Sequence, residues 1–71
     1  MRHYSFAIHK NGTSIEELVG APLENDDEAL SLGRRIILDL MQTDAEKYAG
    51  CTLNITEDER VVGNIFFKLY G

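Results

Sequence analysis

A chain of 71 residues is one domain, and its single cysteine, Cys51, rules out an internal disulfide. Twelve acidic residues against seven basic ones leave a net charge of −5, the wrong sign for a surface that binds phosphate backbones. No run approaches the roughly 18 apolar residues of a membrane span, and MRHYSFAIHK at the start lacks the apolar stretch of a signal peptide.

Arg2 to Lys10 alternates, with Tyr4, Phe6 and Ile8 on one face and His3, Ser5, Ala7 and His9 on the other. That period of two predicts a half-buried strand. Asn11-Gly12 supplies the positive φ angles of a tight hairpin turn. A second, short and acidic strand is expected from about Ser14 to Val19, with Ile15 pointing inward and Leu18 as a second inward candidate, ended by Gly20 and Pro22.

The stretch LENDDEALSLGRRIILDLM, from Leu23 to Met41, then opens on four acids within five positions. Asn25 is a good helix N-cap and Glu28 completes a capping-box spacing. Asp26, Asp27 and Glu28 fall in the first turn, where the helix dipole favours negative charge. The cluster therefore reads as a helix start; it lacks the alternating ligands and distal glutamate of a calcium loop. Ala29, Leu32, Ile36 and Leu40, flanked by Gly33, Ile37 and Met41, form a broad apolar stripe. Leu38 is the misfit, and Arg34-Arg35 point to solvent. TDAE at Thr43 to Glu46 repeats a capping-box spacing, so the helix either breaks near Gln42, with a short turn of helix to Ala49, or runs on through Ala45 and Tyr48; Gly50 ends it either way.

A second hairpin completes the chain. Cys51, Leu53 and Ile55 alternate with Thr52, Asn54 and Thr56; EDER forms a turn without glycine; Ile65, Phe67 and Leu69 oppose Phe66, Lys68 and Tyr70. The expected fold is α+β, ββαββ, an antiparallel sheet of about four strands with one main helix on one face. Phe66 and Tyr70 on the open face mark a contact surface, with His3 and the Arg34-Arg35 pair as further candidates.

Chemistry is not expected. Cys51 sits at an inward strand position with no local positive charge, so it packs rather than reacts. His3 and His9 are six positions apart, roughly 20 Å along a strand, too far to share a metal. Ser5, Ser14 and Ser31 lie in no nucleophile motif. No catalytic residue, metal or cofactor is predicted.

Several short motifs occur together: an M-x-x-Y-x-F start, Gly12, then Glu17 and Gly20, Leu23, Ala29, and Asp58-Glu59 ahead of Val61-Val62. This layout of hairpin, helix and hairpin resembles a family of short bacterial proteins known only as a domain of unknown function. Ser5, the order Pro22-Leu23, Gly50-Cys51 and the glycine-free turn depart from that family's usual pattern. The resemblance covers nearly the whole chain. It implies the fold and a bacterial, cytoplasmic setting, and it brings no catalytic residues. The opening strand, strand, helix also resembles small antitoxin domains that bind basic toxins.

A core this small supplies roughly 3–5 kcal/mol, and small domains offset that with disulfides, metals or self-association. The expected role is a small cytoplasmic protein-binding or self-associating module, a homodimer, with no nucleic acid and no membrane as partner. The alternative is an antitoxin-like or inhibitor-like acidic domain that binds a basic protein.

Overall fold

The structure is a computed structural model that describes residues 2–67, apart from the side chains of Val19 and Ala21. Strands β1 (Arg2–Lys10) and β2 (Thr13–Leu23) are followed by helix α1 (Asp26–Thr43), a short helix α2 (Ala45–Tyr48), and strands β3 (Thr52–Glu57) and β4 (Arg60–Phe66). The class is the α+β arrangement expected, an antiparallel sheet with one main helix, and α2 is the short turn of helix expected after a break near Gln42. The sheet order is β2-β1-β3-β4, so the two hairpins join through their first strands and β1 and β3 lie at the centre.

That order decides where the core sits. Among the described side chains, the buried strand residues come from the central pair, Tyr4, Phe6 and Ile8 on β1 and Leu53 and Ile55 on β3. Helix α1 covers them with Ala29 and Ile37, which are buried, and with Leu32, Ile36 and Leu40, which are partly so. Leu38 lies on the outer side of the helix, half exposed.

Local chemistry explains the helix ends. The Asn25 side chain accepts a hydrogen bond from the Glu28 backbone N–H at 3.0 Å. The Glu28 carboxylate reaches back to the Glu24 N–H at 2.9 Å, one residue further than the simple capping box. At the other end Asp44, rather than Thr43, is the breakpoint. It ends α1 through its N–H to the Leu40 carbonyl and starts α2 by accepting from the Lys47 N–H. Asn11 and Gly12 hold φ of 54° and 79°, and Asp58 holds 53° in the second turn, a value that aspartate tolerates better than most residues.

Strand β2 departs from expectation. It runs eleven residues and passes through both Gly20 and Pro22, which were expected to end it. Two irregularities make this feasible. Ile8 pairs with Glu16 and His9 with Ser14, which leaves Ile15 as an extra residue; Tyr4 pairs with Ala21 and Phe6 with Leu18, which opposes Ser5 to Val19 and Gly20 together. Each is a β-bulge. A Cβ on Gly20 would stand 2.6 Å from the Tyr4 carbonyl oxygen, so glycine is what lets the strand continue. Pro22 is tolerated because β2 is an edge strand.

The first bulge overturns the inward assignment of Ile15. One extra residue reverses the facing of its neighbour. Ile15 is 41% exposed, and Glu16, opposite Ile8, takes the helix-side position instead.

Candidate interaction surface

Two polar clusters tie the helices to the sheet, one at each end. At the first, Asp26 opens α1 beside the starts of β1 and β4. Arg60 donates to both of its carboxylate oxygens, at 2.8 and 3.0 Å, and the Tyr4 hydroxyl donates at 2.8 Å. Arg60 also reaches Glu57 at 2.6 Å, and Arg2 lies 3.5 Å from Glu57 and 3.6 Å from Asp26. Two guanidinium groups therefore balance two carboxylates. The Arg60 bonds, then the Tyr4 hydroxyl, hold the Asp26 carboxyl down at about 2, while burial and the bond to Asp26 push the Tyr4 phenol up.

A folded-state value below the ordinary 3.8 stabilises the fold wherever the unfolded carboxyl would be ionised. That contribution is full above pH 3.8 and is lost as pH falls toward about 2. Urea midpoints should therefore drop across this window in the wild type and drop less in Asp26→Asn. An equal drop in the two proteins would show that Asp26 is not the group responsible.

At the other end Glu16, brought inward by the bulge, accepts from Lys47 Nζ and from the Tyr48 hydroxyl, each at 2.7 Å. The Lys47 bond, then the Tyr48 bond, lowers the Glu16 carboxyl, and Glu16 in turn raises both partners. The Tyr48 ring stacks on Phe67 at 5.9 Å between centroids. Cys51 is wholly buried beside them, with its thiol 3.7 Å from the Lys47 carbonyl oxygen.

These acids bond to neighbours within the fold. An open depression of about 460 Å3 is lined only by α1 and its cap, by Asn25, Asp27, Glu28, Ser31, Leu32 and Arg35. It is a furrow along one helix flank and draws no group from the sheet. Among the described residues no three His, Cys, Asp or Glu side chains stand together as a metal site would require.

The sheet face turned away from the helix differs in kind. The pairing places His3, Ser5, Ala7 and His9 of β1 on it, together with Ser14, Glu17 and Pro22 of β2, Thr52, Asn54 and Thr56 of β3, and Val61, Asn64 and Phe66 of β4. No helix covers it among the described residues. Val61 and Phe66 are 62% and 58% exposed, two of the four large apolar side chains that reach solvent among the described residues; the others are Ile15 and Leu38. Of the twelve acids in the chain, only Glu17 takes an outer-face position in this register.

The expected contact residues separate. Phe66 is on the outer face, in a row that runs through Thr52 and His9 to Ser14. His3 shares that face but sits at the far end of β1, opposite Pro22. Arg34 and Arg35 are exposed on α1, on the other side of the molecule, and cannot belong to the same patch. Tyr70 lies outside the described residues, as does Leu69. The partner that Phe66 gains in its row is His9; its even spacing from His3 was the available signal. Val61 was missed because the β4 bulge at Val62 turns it outward.

No family model, no curated protein and no solved structure matches this chain. No helix in the described residues is long and apolar enough to cross a membrane.

Proposed function

We propose that this chain is a small cytoplasmic module that self-associates through its outer sheet face, packing on a second copy to make a homodimer without catalysis. The observation that carries the reading is the distribution of charge. In a protein of net charge −5, the open face holds a single carboxylate in its strand register and the two most exposed large apolar side chains among the described residues. Depletion of charge at the centre of a patch, with aromatic enrichment, is what marks an interface core. Two copies that meet there bring the fewest like charges together.

Area supports the reading as well. The molecule measures 35 × 22 × 16 Å, and its broad faces are of the order of the ~800 Å2 that each partner gives to a standard interface. Sheets packed face to face lie about 10 Å apart with their side chains interleaved. Small Ser, Thr and Ala side chains around Phe66 permit that approach.

The test is the mass in solution. The wild type should sediment at twice the 8.0 kDa of one chain, and Phe66→Ser should sediment as a folded single chain. A wild-type monomer at every concentration reached would overturn the reading.

The inhibitor-like alternative rests on the opposite side, where Glu24, Asp27, Glu28, Asp39, Asp44 and Glu46 are exposed. A basic protein docked there would bind in a salt-sensitive way and would be indifferent to Phe66→Ser.

A further inference from the structure

We infer that self-association through the outer face is gated by protons at His9, with His3 as a second contributor. The face closes on a second copy near neutral pH and opens in mild acid. This rests on the self-association reading above and names its regulation.

The chain has two histidines, and the register puts both on the outer face. His9 is half-buried. It is flanked by Ser14 on β2 and Thr52 on β3, with Phe66 one strand further on. Among the described residues, the charged group facing it is Glu17, at the neighbouring outer position of β2. His3 is exposed, with Pro22 beside it on β2. On its other side β3 has ended, and Asp58 follows the Tyr4–Glu57 pair. Lys10 and Arg2 next along β1 have the opposite facing. Imidazole is the side chain of ordinary basicity that changes charge between about pH 5 and 8.

Two-fold packing places the same patch on both sides of the contact, so each copy brings its own His9 to the buried face. Glu17 is a single partner at a diagonal distance, and a protonated imidazole there would have to give up water. Burying a charge without close pairing is costly. An imidazole that must stay neutral in the complex weakens association about tenfold one pH unit below its basicity, and two of them about a hundredfold.

The sign of the effect separates it from bulk electrostatics. Acidification toward the sequence pI of about 4.8 reduces the net negative charge, which by itself tightens association between like-charged copies. Loosening in acid therefore needs a group that gains charge inside the contact.

Sedimentation equilibrium of the full chain at about pH 7.5 and about pH 5.5, on either side of imidazole titration, tests this, with His9→Gln and His3→Gln as variants. The wild-type dissociation constant should rise about a hundredfold in acid. His9→Gln should lose most of that rise, and His3→Gln a smaller part. An unchanged wild-type constant would leave the dimer standing and remove the gate. The same rise in His9→Gln as in the wild type would also remove it. A monomer at both pH values would remove the dimer, and the gate with it.

Discussion

Phe67→Ser should unfold the chain, while Phe66→Ser should leave it folded with a near-native melting curve. The two phenylalanines are adjacent but face opposite ways. Phe67 is 1% exposed, its backbone N–H donates to the Cys51 carbonyl at 2.9 Å, and its ring lies against Tyr48. Removing a buried phenylalanine side chain costs about 3–5 kcal/mol. A core of this size supplies roughly 3–5 kcal/mol in all, so little folded protein would remain. Phe66 loses far less, since most of its surface is already in water. Circular dichroism with urea titration reads both. If Phe66→Ser melts the protein and Phe67→Ser does not, the register of the last strand is displaced by one residue.

Gly33→Val should lower the melting temperature by about 4–24 °C, for an overpacking cost of about 1–3 kcal/mol. Glycine inside a helix gives up about 1 kcal/mol relative to alanine, so a bystander glycine would be improved by substitution. Here a Cβ would stand 2.8 Å from Ile55 Cδ1, 3.1 Å from Leu53 Cδ2 and 3.3 Å from Ile65 Cδ1. Those methyl groups can yield slightly, so in Gly33→Ala the helix gain offsets part of the crowding. Valine adds two more carbons against the same three residues, and its branched side chain has one comfortable rotamer in a helix. The helix must then lift from β3 and β4, exposing the best-buried strand. A melting temperature at or above wild type in Gly33→Val would show that the close approach has no energetic weight.

What the sequence made legible was whatever depended on near neighbours. The alternation of Tyr4, Phe6 and Ile8 sets the facing of β1, Asn11-Gly12 fits its turn, and Asn25 caps its helix because the bond it makes spans three residues. The opposed facing of Phe66 and Phe67 follows from the same period of two. What was hidden depended on pairing. A bulge is a mismatch between two strands, so the Ile8–Glu16 register has no trace in β2 alone, and Ile15 read as inward by simple alternation. Pro22 read as a stop because nothing local reveals that its strand lies at an edge. Asp26 read as a helix-dipole residue, whereas its strongest partners, Arg60 and Tyr4, stand 34 and 22 positions away. The outer face was visible as a list of residues, but the rows within it, and with them the company that Phe66 keeps, needed the strand order.

The bulges also bear on how far assembly can proceed. A sheet grows when a free edge offers a straight row of backbone donors and acceptors to another chain. On β2 that row is broken twice and interrupted again at Pro22, and on β4 it is broken at Val62. Neither border is a good template, so stacking of sheets edge to edge into fibres is disfavoured on both sides. The flat surface is then what the proposed self-association would use, and each molecule has one such surface uncovered among its described residues. In the proposed dimer, a patch consumed by its own twofold mate would offer nothing to a third molecule, so growth would stop at a closed pair, and a concentrated solution of this chain should stay free of filaments.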